Sequence, residues 1–324
     1  MNYKLNFLKG LACMGVVFIH VTFPGMLGQI IKYASAYAVP IFFMTAGYYA
    51  LGVGTATVKR RLNKIIKYFI YAYILFFCFQ LLIAIKNNTM IVWISANFNW
   101  KTFIKYICFC TIDFAVPLWY LIAMIELYII WYFIVRKQRE QLVLKLIPIL
   151  FILQILLTSY CDTMQLEWFW KTNVITRALP WFLLGYYIRT NEELHLKSID
   201  IYKLLGMVII GCMIVLIPIV FHTSIQFSVL GYIPYATGMF MLTLKNSSHH
   251  ICKVIEFIGE KLSFNIYIFH VLVASALEIF YRIISKNNGE DIWLWCKPIS
   301  TLICTIFISW VIYVILKYRR CNKN

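Results

Sequence analysis

Charge is scarce in this sequence, and acidic charge is scarcest. Only 13 % of the 324 residues are Asp, Glu, Lys or Arg, and 13 residues in all are acidic. Soluble globular chains carry about 25 % charged residues, so an ordinary soluble domain is excluded. No hydrophilic stretch is long enough to fold separately, which leaves a single membrane domain over 1–324. No Cys or His group has metal-ligand spacing, so no metal site is expected. Of the ten cysteines, Cys13, Cys78, Cys212 and Cys304 fall inside apolar runs and read as small core hydrophobes. Cys108, Cys110 and Cys161 fall in segments expected outside, where nothing in the sequence argues for a disulfide. The first apolar run carries Lys4 and Lys9 but no small-residue cleavage site, so it reads as a retained span.

What is present is apolar. Hydrophobic residues make up 62 % of the chain and the mean hydropathy is +0.78. At about 20 residues per span plus short loops, the length accommodates roughly ten helices. Hydropathy places them at 5–25, 31–51, 66–86, 117–135, 142–160, 174–190, 204–221, 225–244, 263–282 and 298–317. The expected fold is therefore an all-α, polytopic transmembrane bundle in the cell (plasma) membrane. Basic clusters sit at Lys59-Arg60-Arg61 with Lys64 and Lys67, at Arg136-Lys137 with Arg139, and at Arg319-Arg320 with Lys323. Placing both termini in the cytoplasm puts all three clusters inside, as the positive-inside rule requires. The net charge of +17 then faces anionic lipid rather than nucleic acid. The segment 86–116, with Trp93 and Trp100, is expected outside and has the pattern of an interfacial helix. No internal repeat points to a transporter built from two halves.

A simple anchor has no need of ionisable groups inside its spans. Lys9 and His20 are eleven residues apart in the first span, which is three turns, so they share one face about 16 Å apart. Lys9 alone suits a snorkelling anchor, and His20 alone suits a polar contact between helices. Yet such residues are costly in a bilayer and mark functional sites by default, and neutral imidazole is the form a general base needs. His270 lies in the ninth span with Tyr267 on the same face. Arg177 sits near the outer end of the sixth span, where an interface anchor is equally natural. Glu126 lies mid-span and is expected to pair with Lys or Arg of another helix. His195, His222, His249 and His250 carry no assigned chemistry.

Taken together, these residues resemble the acyltransferase-3 family of integral membrane O-acyltransferases. Lys9-x10-His20 is similar to its Arg/Lys-x10-His signature. Four further segments resemble its landmarks in order: Val39-Pro40-Ile41-Phe42-Phe43-Met44-Thr45-Ala46-Gly47-Tyr48, Leu118-Trp119-Tyr120-Leu121, Pro180 to Tyr187, and Ser263 to His270. The departures are Asn6 where an acid is usual, Lys9 where arginine is commoner, and Ala46 where serine is usual. Lysine lacks the bidentate fork of arginine and acts as a point charge.

The resemblance implies transfer of an acyl group, usually acetyl, from cytoplasmic acyl-CoA to a hydroxyl of an extracytoplasmic glycan or related acceptor. Acyl-CoA would be a co-substrate, with no permanently bound cofactor. His20 would be the general base or a transient acyl carrier. Lys9, Tyr267 and His270 are candidates to stabilise the oxyanion. Arg60, Arg61 and Lys64, with Arg177 and Tyr267, are candidates to hold the co-substrate. The rival expectation is a non-enzymatic membrane module that transports or binds an amino acid or glycan intermediate.

Overall fold

The computed structural model describes residues 2–192, 199–221, 228–245, 249–285 and 290–321. His195, His222 and Lys323 lie outside the described residues. Among these residues every regular element is a helix, as a chain in lipid requires, because each backbone N–H and C=O there must be satisfied within its own segment. In chain order they are α1 (Tyr3–His20), α2 (Gly25–Ala34), α3 (Ala38–Tyr48), α4 (Thr55–Lys86), α5 (Met90–Asn97), α6 (Trp100–Phe109), α7 (Trp119–Arg136) and α8 (Glu140–Leu144). Then come α9 (Ile147–Thr163), α10 (Leu179–Thr190), α11 (Ile201–Phe221), α12 (Ser228–Leu244), α13 (Lys253–Phe257), α14 (Ser263–Ser285) and α15 (Glu290–Cys321).

Among the described residues, each of the ten hydropathic spans overlaps helix. Among the described residues six stretches are long and apolar enough to cross a membrane: Gly25–Tyr48, Thr55–Lys86, Trp100–Arg136, Ile201–Phe221, Lys253–Ile284 and Glu290–Arg319. Two more, Ile147–Thr163 and Val229–Leu244, are apolar but shorter. The span read at 31–51 is not one rod: a 3-10 turn over Ser35–Tyr37 separates α2 from α3. The new helix accommodates Pro40 in its first turn, where the missing N–H has no intrahelical partner to lose. The segment 86–116, read as having the pattern of an interfacial helix, folds into two helices, α5 and α6, and a 3-10 turn, Asp113–Leu118. Asn99 and Thr102 close a capping box at the start of α6. Trp93 and Phe114 pack with ring centroids 5.6 Å apart.

The chain divides into two compact units, 1–42 with 193–324, and 43–192. In the first unit α1 lies against the helix that runs from α13 through a π turn, Ile258–Leu262, into α14. Their backbones nearly touch: a Cβ on Gly10 would strike the Ile255 carbonyl, and one on Gly259 would strike the Asn6 carbonyl. Glycine at both positions allows this close approach, the usual device where helices associate in lipid. Above it Cys13, Val17, Ile258, Leu262 and Ile266 form a buried cluster with Leu302 and Ile306 packed on it. In the second unit α3 and α10 meet through the same device. A Cβ on Gly47 would strike the Phe182 carbonyl and one on Gly185 the Met44 carbonyl.

Candidate active site

The first unit brings two of the histidines together. Cys13 Sγ lies 3.9 Å from the Ser263 carbonyl oxygen, a separation of 250 residues. His20 and His270 have the same separation, and their ring centroids are 5.1 Å apart. The two helices therefore run parallel in constant register from Cys13 up to His20. His20 ends α1 and is exposed, whereas His270 is fully buried. His270 Nδ1 lies 2.7 Å from the Tyr267 carbonyl oxygen and 3.2 Å from that of Ile266. A carbonyl oxygen only accepts, so in the neutral ring Nδ1 carries the proton and Nε2 keeps its lone pair. Nε2 is buried with no hydrogen-bond partner. The Tyr267 ring is 6.2 Å from the His270 ring.

Lys9 does not join this pair; it sits three turns back along α1. Its Nζ lies 3.5 Å from Asn6 Oδ1, and Glu260 is the carboxylate whose charge acts on it. Glu260 also pairs with Lys261 at 2.5 Å. This carboxylate comes from the facing helix, a neighbour the sequence alone did not reveal.

The remaining candidates belong to the second unit. Arg177 lies in a π turn, Val174–Ala178, with its guanidinium carbon 5.6 Å from the centre of the Trp119 ring. A cation over an indole face is attracted by its quadrupole, and the contact ties the turn just before one family-like segment to a second. Phe43 of a third packs on Tyr120 at 4.8 Å. Arg61 donates from Nη1 to the Tyr49 carbonyl at 2.9 Å, so part of its fork is already engaged. Arg60 and Lys64 are exposed on the first turns of α4.

The expected basic partner of Glu126 is replaced by another group. Glu126 Oε2 accepts from Cys110 Sγ at 3.4 Å. Cys110 follows α6 in the left-handed conformation, φ 51°, and this turn delivers its thiol to a carboxylate sixteen residues on. Cys110 and Cys161 are both free thiols.

A family comparison settles what kind of protein this is. The family model for the acyltransferase domain of the acyltransferase-3 family matches residues 2–314. The chain belongs to the acyltransferase-3 family. The match takes in both units, and with the long apolar helices it makes this protein a membrane acyltransferase. No curated protein and no solved structure matches the chain.

Reading the sequence also passed over a polar line on α15. Thr301, Thr305 and Ser309 are fully buried. Their spacing of four within an apolar run was the available signal.

Proposed function

We propose that this acyltransferase moves an acyl group, most simply acetyl, from cytoplasmic acyl-CoA to a hydroxyl of an extracytoplasmic glycan or other cell-envelope acceptor. The observation that carries the reading is the juxtaposition of His20 and His270, 5.1 Å between ring centroids. An exposed imidazole at a helix end can meet an acceptor hydroxyl, take its proton and leave the oxygen to attack the thioester carbonyl. The carbon–sulfur bond then breaks and CoA departs as a thiolate. Lys9 supplies positive charge three turns away, and the exposed Arg60 and Lys64 supply it at the basic end of α4 for CoA phosphates. Incubating the purified chain with acetyl-labelled CoA tests this directly. The wild type should consume the thioester, and His20→Ala should slow it by about a hundredfold or more, the usual weight of a general base. Undiminished turnover in a well-folded His20→Ala chain would remove His20 from the chemistry.

A further inference from the structure

When an acceptor oxygen attacks a thioester, the new C–O bond and the old C–S bond share one carbon. In the function proposed above, on which this inference rests, that carbon lies beside His20, which takes the acceptor's proton. The carbonyl oxygen on it becomes an oxyanion and needs a hydrogen-bond donor within about 3 Å.

The groups described so far do not supply one. Lys9 is eleven residues from His20 on the same helix, about 16 Å along the axis. His270 gives its Nδ1 proton to the Tyr267 carbonyl, and its Nε2 is a bare acceptor. Tyr267 is buried one turn deeper on α14. Arg282 and Lys297, further out on α14 and α15, both pair with Glu278 at 2.9 Å.

α2 brings another cation to the place. The chain turns back after His20, and two contacts fix how α2 lies along α1. A Cβ on Gly28 would strike the Phe23 carbonyl, so that turn of α2 is level with Phe23. A Cβ on Gly15 would sit 3.1 Å from Ser35 Cβ and 3.2 Å from its Oγ, so the end of α2 is level with Gly15. α2 therefore runs back along α1, antiparallel to it. Lys32 is three residues before Ser35 and His20 is five after Gly15, which leaves them about 3 Å apart in height. A lysine side chain spans that offset. The charge of Lys32 acts on the His20 ring. Lys32 is exposed, and it enters none of the ion pairs found among the described residues. Its ammonium carries three donors and no acceptor.

We propose that Lys32 donates the hydrogen bond that holds the oxyanion while His20 takes the acceptor's proton. The acceptor oxygen bonds to the thioester carbon, and the carbonyl electron pair moves onto oxygen, facing the Lys32 ammonium. When that pair returns, the C–S bond breaks and the CoA sulfur takes the proton from His20. Lys32 keeps its own protons throughout, so no further reactant enters.

The test follows acetyl-CoA consumption by the purified full chain, with water as acceptor. Lys32→Met keeps the length and removes the charge. It should lower kcat by about a hundredfold or more, the usual effect of losing one oxyanion donor, and leave KM for acetyl-CoA unchanged. Lys32→Arg keeps a cationic donor and should stay within about tenfold of the wild-type kcat. Lys32→Gln should repeat the loss, deciding the matter if Lys32→Met folds poorly. A wild-type kcat in Lys32→Met would make Lys32 a snorkelling anchor and overturn the proposal. A rise in KM alone overturns it too, since Lys32 would then only gather an anionic co-substrate. Equal loss in Lys32→Arg and Lys32→Met has the same consequence. A wild-type chain that leaves acetyl-CoA untouched overturns the proposed function itself, and this role with it.

Discussion

A lone pair distinguishes the two histidines at the residue scale. His270 commits Nδ1 to a backbone carbonyl of its own helix and turns a bare Nε2 inward, while His20 stands open at a helix end. The reading of Lys9 as a point charge predicts that Lys9→Arg preserves acetyl-CoA turnover and that Lys9→Ala lowers it. Equal behaviour of the two variants in the same assay would make Lys9 a lipid anchor only. The Lys9–His20 relation was legible in the sequence because both residues sit on one uninterrupted helix, where spacing alone dictates the face. Their partners were not. Glu260 and His270 reach α1 through tertiary register, and Cys110 reaches Glu126 through a left-handed turn, for which a cysteine gives no sequence signal.

Among the elements, close approach governs. Gly259→Ala would drive a methyl group into the Asn6 carbonyl of α1, and overpacking of that kind typically costs about 1–3 kcal/mol. Gly206 on α11 has open space around its missing Cβ, so Gly206→Ala should be neutral or stabilise by up to about 1 kcal/mol through helix propensity. Thermal unfolding of the detergent-solubilised variants should order them Gly259→Ala, wild type, Gly206→Ala from least to most stable. A Gly259→Ala chain as stable as wild type would mean that α1 and the π turn Ile258–Leu262 can part at no cost. Helix existence was readable throughout from apolar runs, but the interruption at Ser35–Tyr37 was not, because Pro40 and the small residues before it leave hydropathy undisturbed.

For the whole molecule, orientation is the property that charge sets. We propose, from the basic clusters at the start of α4 and at the ends of α7 and α15, that the N- and C-termini lie on the same, cytoplasmic side. Reporters fused separately to each terminus should therefore give the same sidedness, and opposite readings would overturn an even number of crossings. Span number was less legible than fold class. Averaged hydropathy sees apolar content, whereas among the described residues six helical stretches combine that content with sufficient length.

The π turn at Ile258–Leu262 bears on how this chain tolerates losing a residue. A turn closed by an i to i+5 bond holds one residue more than an α turn needs. Deleting Lys261 there should let the helix heal, leaving Gly259 against Asn6 below and His270 beside His20 above. Deleting Ile268, in regular helix, has no such slack and should swing His270 about 100° away from its partner. Acetyl-CoA turnover should survive the first deletion and vanish with the second. The surplus residue is then a built-in margin for insertion and deletion, placed just below the point where the two histidines must stay in phase.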